Sequence, residues 1–214
     1  LFRSPILVDI TVDGRAIKAV AQPTKQGWLY VFDRITGQPV WPIEERPVEQ
    51  STVPMEKTSP TQRFVTKPPA FDRQGVSLDD LIDFTPELKA EGAKLASQYK
   101  LGPIFTPPVV SKWGGPLGTL MLPSAGGGIN WFGGAVDPET KILYTFSATT
   151  ITPLGLIPPG ERSDMNFIRG TAPNPAAPPK PAAPPSAGGP APAVGGGAGG
   201  GGLSVRSEEH TSEL

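Results

Sequence analysis

Two apolar runs separated by an Asp-Gly pair open the chain. In "PILVDITVDGRAIKAVAQP" (5–23) the runs flank Val12-Asp13-Gly14-Arg15, and Asp-Gly between strand-like runs is a strong short-range hairpin signal. "GWLYVFDR" (27–34), "ITGQ" (35–38) and "PVWPI" (39–43) follow in the same style. Residues 5–44 are therefore predicted to form short strands joined by tight turns. The D-x-x-T-G stretch explains itself as one of those turns: the Asp33 side chain can accept from turn amides and Gly37 can take a positive φ.

The pattern changes from Glu45 to Gly75, which is proline-rich and predicted to be irregular. A helical insertion is expected over about 77–100. Ser77 with Asp80 three residues on has the capping-box pattern, and Thr85-Pro86 has an N-cap residue followed by proline at the first helical position. In "PELKAEGAKLASQYK", Leu88, Leu95, Ala96 and Tyr99 share one helical face, predicting a surface helix docked by that stripe and ended by Gly102-Pro103. Strand signals return in "IFTPPVV" (104–110), "GTLMLPS" (118–124), "NWFGGAVDP" (130–138) and "KILYTFSAT" (141–149). "DPETK" (137–141) is a second copy of the D-x-x-T turn, with Lys141 where Gly37 stood. Two such units suggest a repeating all-β architecture such as a propeller.

Composition adds two boundaries. Pro (28) and Gly (26) make up about a quarter of the 214 residues, but the excess concentrates in Thr171–Gly202. That stretch has one charge and no large aliphatic residue except Val194, so a disordered Pro/Gly-rich loop is expected over 171–205. The start, "LFRSPILVDI", has no initiator Met and no leader pattern, and reads as cut at the front. The end, "RSEEHTSEL" (206–214), resembles residue for residue the translation of a common short-read sequencing adapter.

The sole histidine, His210, lies in that tail and there is no cysteine, so the remaining chain offers neither imidazole nor thiol. Formal charge is −1 with the tail; without its one Arg and three Glu, 18 basic face 17 acidic residues. Such a balance gives no electrostatic footprint for nucleic acid. No apolar run approaches the ~20 residues of a membrane helix.

The order of motifs is more specific than any one of them. "AVAQPTKQGWLYVFDRITGQPVWPIEERPVEQSTVP", "TSPTQRFVTKPPAF", "IFTPPVV" and "GTLMLPSAGGGINWFGGAVDPETKILY" together resemble the pyrroloquinoline-quinone (PQQ)-dependent dehydrogenases, in particular the glucose-dehydrogenase-like branch, over residues 5–149. The resemblance implies an eight-bladed β-propeller, of which residues 1–170 would be a part of about three blades. It implies PQQ and calcium as cofactors and a sugar or alcohol as substrate. It also implies a quinone or cytochrome as electron acceptor, and a periplasmic location with a membrane anchor possible in a region ahead of this chain.

A lysine in a turn is ordinarily a solvated lysine. The resemblance gives Lys25 another role, since the family's lysine at this position points at the quinone oxygens and stabilises charge that develops during hydride transfer. It puts Trp131 against the cofactor edge, with Gly133 and Gly134 permitting close backbone approach; the alternative is a core tryptophan between blades. Trp28, Trp41 and Trp113 are expected to pack blades or cover loops. Ala125 stands where the family commonly has asparagine, a contact that is either absent or supplied by Asn130. The family's catalytic aspartate, calcium ligands and quinone-stacking residues belong to segments that precede these motifs, and no residue of this chain is assigned to those roles. The competing reading is a propeller that kept its repeats but acts as a non-catalytic interaction or assembly scaffold. A proline-rich structural protein would need low complexity throughout the chain.

Overall fold

The computed structural model describes residues 5–129 and 133–176. Asn130, Trp131, residues 177–205 of the Pro/Gly-rich stretch and the 206–214 tail lie outside the described residues.

The opening apolar runs form an antiparallel meander of β1 (Ile6–Val12), β2 (Arg15–Pro23) and β3 (Leu29–Asp33). Asp13 and Gly14 both have positive φ, 50° and 74°, which the tight hairpin between β1 and β2 demands. Alternation decides the buried face: Ile6, Val8 and Ile10 pack with Ile17, Ala19, Ala21, Leu29 and Val31, and Leu143 joins from a distant strand. Arg34 crosses this sheet on the outside, donating to the Ala19 carbonyl at 3.0 Å and pairing with Asp9 at 2.9 Å. Beyond β3 the chain doubles back. The Val40 amide donates to the Val31 carbonyl, giving the sheet a short fourth edge.

Both D-x-x-T turns have the predicted chemistry. Asp33 Oδ1 accepts from the amides of Ile35 and Thr36, and Gly37 has φ 75°. Asp137 accepts from the Glu139 amide and the Thr140 hydroxyl, and Lys141 takes the same left-handed conformation, φ 63°.

The middle of the chain is more ordered than its prolines suggest. β4 (Ile43–Pro47) and β5 (Thr61–Val65) form an antiparallel hairpin within the stretch expected to be irregular. β4 is mostly exposed and charged and β5 mostly half-buried, so no hydrophobic alternation announced them. Its one large apolar anchor, Phe64, packs edge-on against Trp28 with centroids 5.3 Å apart.

The helical insertion is shorter than expected. The Ser77–Asp80 capping box is present but caps a single 3-10 turn, Leu78–Asp80; the α-helix, α1, runs Pro86–Ala96 with Thr85 as its N-cap. The expected apolar stripe is not what docks it. Leu88 and Leu95 are each 47% exposed, and only Ala96 is buried. The helix approaches the body through its small residues, with Leu81 lying beside Gly92. Tyr99, beyond the helix end, packs instead against a second core of Val76, Leu120 and Leu122.

The remaining strands are short. β6 (Val109–Val110), β7 (Thr119–Met121), β10 (Thr152–Ile157) and β11 (Ile168–Arg169) form one sheet in which β10 pairs with the other three, parallel only to β6. β8 (Gly134–Val136) and β9 (Leu143–Thr145) form a separate hairpin whose residues pack on the first sheet. The described residues are thus all-β in character with a single α-helix. Just after β11, the Ala172 amide donates to Ser111 Oγ at 2.8 Å, tying residue 172 to the strand sheet.

Candidate functional site

Lys25 sits on the loop joining β2 to β3. The loop closes on itself: the Gly27 amide donates to the Thr24 carbonyl at 3.0 Å, and both the amide and the hydroxyl of Thr24 donate to the Trp28 carbonyl. Gly27 has φ 80°, and a β-carbon there would stand 2.9 Å from Asp72 Cβ, so the position requires glycine on both counts. Immediately behind, Trp28 is buried against Phe64 and Phe105, whose rings also meet edge-on at 5.6 Å. These aromatic contacts give the loop a rigid base.

A second loop covers the first. In the glycine run 126–128, the Gly127 amide donates to the Ser124 carbonyl and the Gly128 amide to the Lys25 carbonyl at 3.0 Å. Gly127, φ 91°, lies flush against the lysine stem. A third segment, 71–74, clamps the Lys25 loop from its other side. The Phe71 amide donates to the Gly27 carbonyl at 2.8 Å, and the Gln74 amide nitrogen donates to the Gln26 carbonyl at 2.7 Å.

Between these segments lies Asp72, buried at 7% exposure. Its carboxylate accepts from the Thr149 hydroxyl at 2.7 Å, the Arg73 amide at 2.8 Å and the Ser147 hydroxyl. Sequence reasoning missed this residue. An aspartate in "PPAFDRQG" reads as a loop carboxylate, and its hydroxyl partners are more than seventy positions away.

Lys25 and Gln26 line a cleft of about 260 Å³ whose other walls are Gly75, Pro103–Thr106 and Leu120–Ala125. Mostly apolar walls with a few polar groups are usual for small-molecule sites. Among the described residues no carboxylate forms an ion pair with Lys25. Lys25, half-buried as a residue, is therefore available to an anionic or strongly polarised group in the cleft. A bound quinone fits this part of the chain on that ground, and on the ground that the Gly127–Gly128 backbone leaves no side chain over the lysine stem. No comparable donor set exists for a metal: among the described residues, no three or more carboxylates, histidines or cysteines cluster.

The other expected site residues divide. Asn130 and Trp131 are outside the described residues. Ala125 lines the cleft, so the position where asparagine was missed is a cleft position here. At Gly134 a β-carbon would lie 2.5 Å from the Tyr144 carbonyl oxygen and 2.8 Å from Ile6 Cδ1, so glycine there serves the packing of β8 on β9 and β1. Trp28 and Trp41 pack the structure as expected, whereas Trp113 is 49% exposed in a surface groove.

Comparison with known proteins places the chain among quinoprotein dehydrogenases. The chain is 31% identical over 150 residues to the glycerol dehydrogenase large subunit of Gluconobacter thailandicus, covering 66% of this chain and 18% of that protein. It is 33% identical over 151 residues to the quinoprotein glucose dehydrogenase of Gluconobacter oxydans (strain 621H), covering 65% and 17%. Against the quinoprotein glucose dehydrogenase of Escherichia coli (strain K12) it is 31% identical over 163 residues, covering 75% and 19%. The chain thus spans less than a fifth of the length of these curated relatives. No solved structure matches. Residues 1–188 match the PQQ family described as glucose/ethanol/alcohol dehydrogenase, beta-propeller domain, and the chain belongs to that family.

Proposed function

We propose that this chain is an arc of about three blades of an eight-bladed quinoprotein propeller, and that the complete protein oxidises a sugar or alcohol in the periplasm. When bound, PQQ supplies an electrophilic carbon able to take a hydride from a carbinol carbon of the substrate. The chain's own contribution is Lys25. Its loop is hydrogen-bonded on both sides and backed by buried aromatic rings, so the backbone that carries the ammonium is held in place before any ligand arrives. A fixed cation in a cleft with apolar walls favours negative charge on a neighbouring oxygen far more than a solvated one does. Asn130 and Trp131 are proposed as further cofactor contacts.

The observation that carries this reading is the ammonium of Lys25, without a carboxylate partner among the described residues, at the wall of the cleft. The names of the relatives, glycerol and glucose dehydrogenases among them, make polyols and aldoses the first substrates to try. The acceptor of the electrons is proposed to be a quinone or a cytochrome. Calcium is proposed to be held by residues outside this chain, and no step assigned here involves it.

The test compares this chain with the complete enzyme, both with calcium, by PQQ titration and by dye reduction with glucose and with glycerol. Turnover is expected only from the complete enzyme, because Lys25 lies in this arc while the base and the stacking walls do not. Robust turnover by the 214 residues alone would overturn the assignment of roles.

A further inference from the structure

We infer that Asp72 is a positioning residue for Lys25, a buried carboxylate that locks the lysine loop to two distant segments. This inference rests on the reading of Lys25 given above. Asp72 is the only buried ionisable residue among those described, and no cation among them pairs with it. Its sequence neighbour would be the obvious partner, but the Arg73 guanidinium is committed to Asp80. Charge burial without a counter-ion is costly, and an apolar side chain of the same size would serve packing better. What a carboxylate offers instead is direction. It accepts at once from the hydroxyls of Ser147 and Thr149 and from the Arg73 amide.

The place of those bonds matters. Asp72 Cβ lies against Gly27, two residues from Lys25, and Asp72 Oδ2 lies against Gly128, whose amide holds the Lys25 carbonyl. The Gly128 carbonyl in turn accepts from the amide of Ala148, between the two hydroxyl donors. One carboxylate therefore sets the spacing among the 24–28 loop, the glycine run and the 147–149 segment. Asp72 does not line the cleft that Lys25 lines, so its influence on chemistry there passes through the Lys25 loop.

The experiment is a double-mutant cycle in the complete enzyme, with a second readout on the apoprotein. Asp72→Asn keeps the shape but turns one carboxylate oxygen into an N–H donor, so the Ser147 hydroxyl must switch from donating to accepting and all three bonds lose their charge assistance. In the apoprotein, hydrogen exchange at the Gly27 and Gly128 amides is expected to accelerate, and the rate of Lys25 acetylation in competitive labelling to change. In the loaded enzyme kcat is expected to fall about tenfold with KM little altered, within the range that couplings between contacting residues reach. In a Lys25→Ala background the same substitution is expected to have no further effect on kcat. Equal losses in both backgrounds, or unchanged exchange and labelling, overturn the inference. If Asp72→Asn does not fold, Thr149→Val removes a single donor and is expected to move the same readouts in the same direction. Should Lys25→Ala leave kcat unchanged, the reading of Lys25 fails, and exchange and labelling still decide whether Asp72 positions that side chain.

Discussion

Gly127 stands so close to Lys25 that a β-carbon on the glycine would lie 2.5 Å from Lys25 Cγ and 2.6 Å from its Cβ. The two residues are 102 positions apart, and the contact leaves the lysine stem no room on that side. Gly127→Ala adds this clash to the strain of a side chain at φ 91°. It is expected to lower stability by about 1–3 kcal/mol, measured by denaturant unfolding, and to displace the ammonium. A neutral result would mean that the glycine run yields easily and does not fix the lysine.

Lys25→Ala in the complete enzyme is expected to reduce kcat by on the order of a hundredfold while substrate KM changes little, because the interaction strengthens as charge develops. Steady-state kinetics with an artificial acceptor measures both. An unchanged kcat would return Lys25 to the role of an ordinary turn lysine.

Gly92 offers a prediction of the opposite sign. It lies inside α1, and a β-carbon on it would meet only the Leu81 side chain, at ordinary contact distances of 3.6–3.9 Å. Gly92→Ala is expected to stabilise by about 0.5–1 kcal/mol, since the helix interior favours alanine and the site has space. Thermal melting checks it; a lower melting temperature would show that the helix seats more tightly than this spacing indicates.

The 137–141 turn has a definite pH dependence. The Thr140 hydroxyl and the Glu139 amide donate to Asp137 and hold its carboxyl below the usual carboxylate range. A carboxyl depressed in the folded state stabilises above its unfolded value and loses that contribution as pH falls through the folded one. The turn is therefore expected to be intact at neutral pH and to loosen below about pH 4, seen as faster amide exchange at Glu139. In Asp137→Asn that acid-dependent step is expected to vanish. Its persistence would assign the step to another group.

Several features were legible before any fold was known, and each is local. The Asp-Gly hairpin, the two D-x-x-T turns and the caps at Ser77 and Thr85 depend on residues within a few positions of one another, so a short stretch of chain contains all the interacting groups. The β4–β5 hairpin was not legible, because β4 is mostly exposed and charged, β5 is mostly half-buried, and the hairpin's anchor, Phe64, has meaning only once Trp28 lies beside it. The helix stripe misled for a related reason: Leu88 and Leu95 share a face, but whether that face is covered depends on what the rest of the chain brings to it.

The sequence by itself determined the family, through the order of its motifs, and with it Lys25 as the candidate for chemistry. Only the tertiary structure decided what holds Lys25. Gly27, Asp72, Gly127, Ser147 and Thr149 are unremarkable in a one-dimensional reading, since glycines and small hydroxyl residues suit any turn. All five lie on loops, and they converge because the neighbouring β2, β3, β9 and Phe71 pack on a common core, and a buried carboxylate must find its donors wherever the fold delivers them.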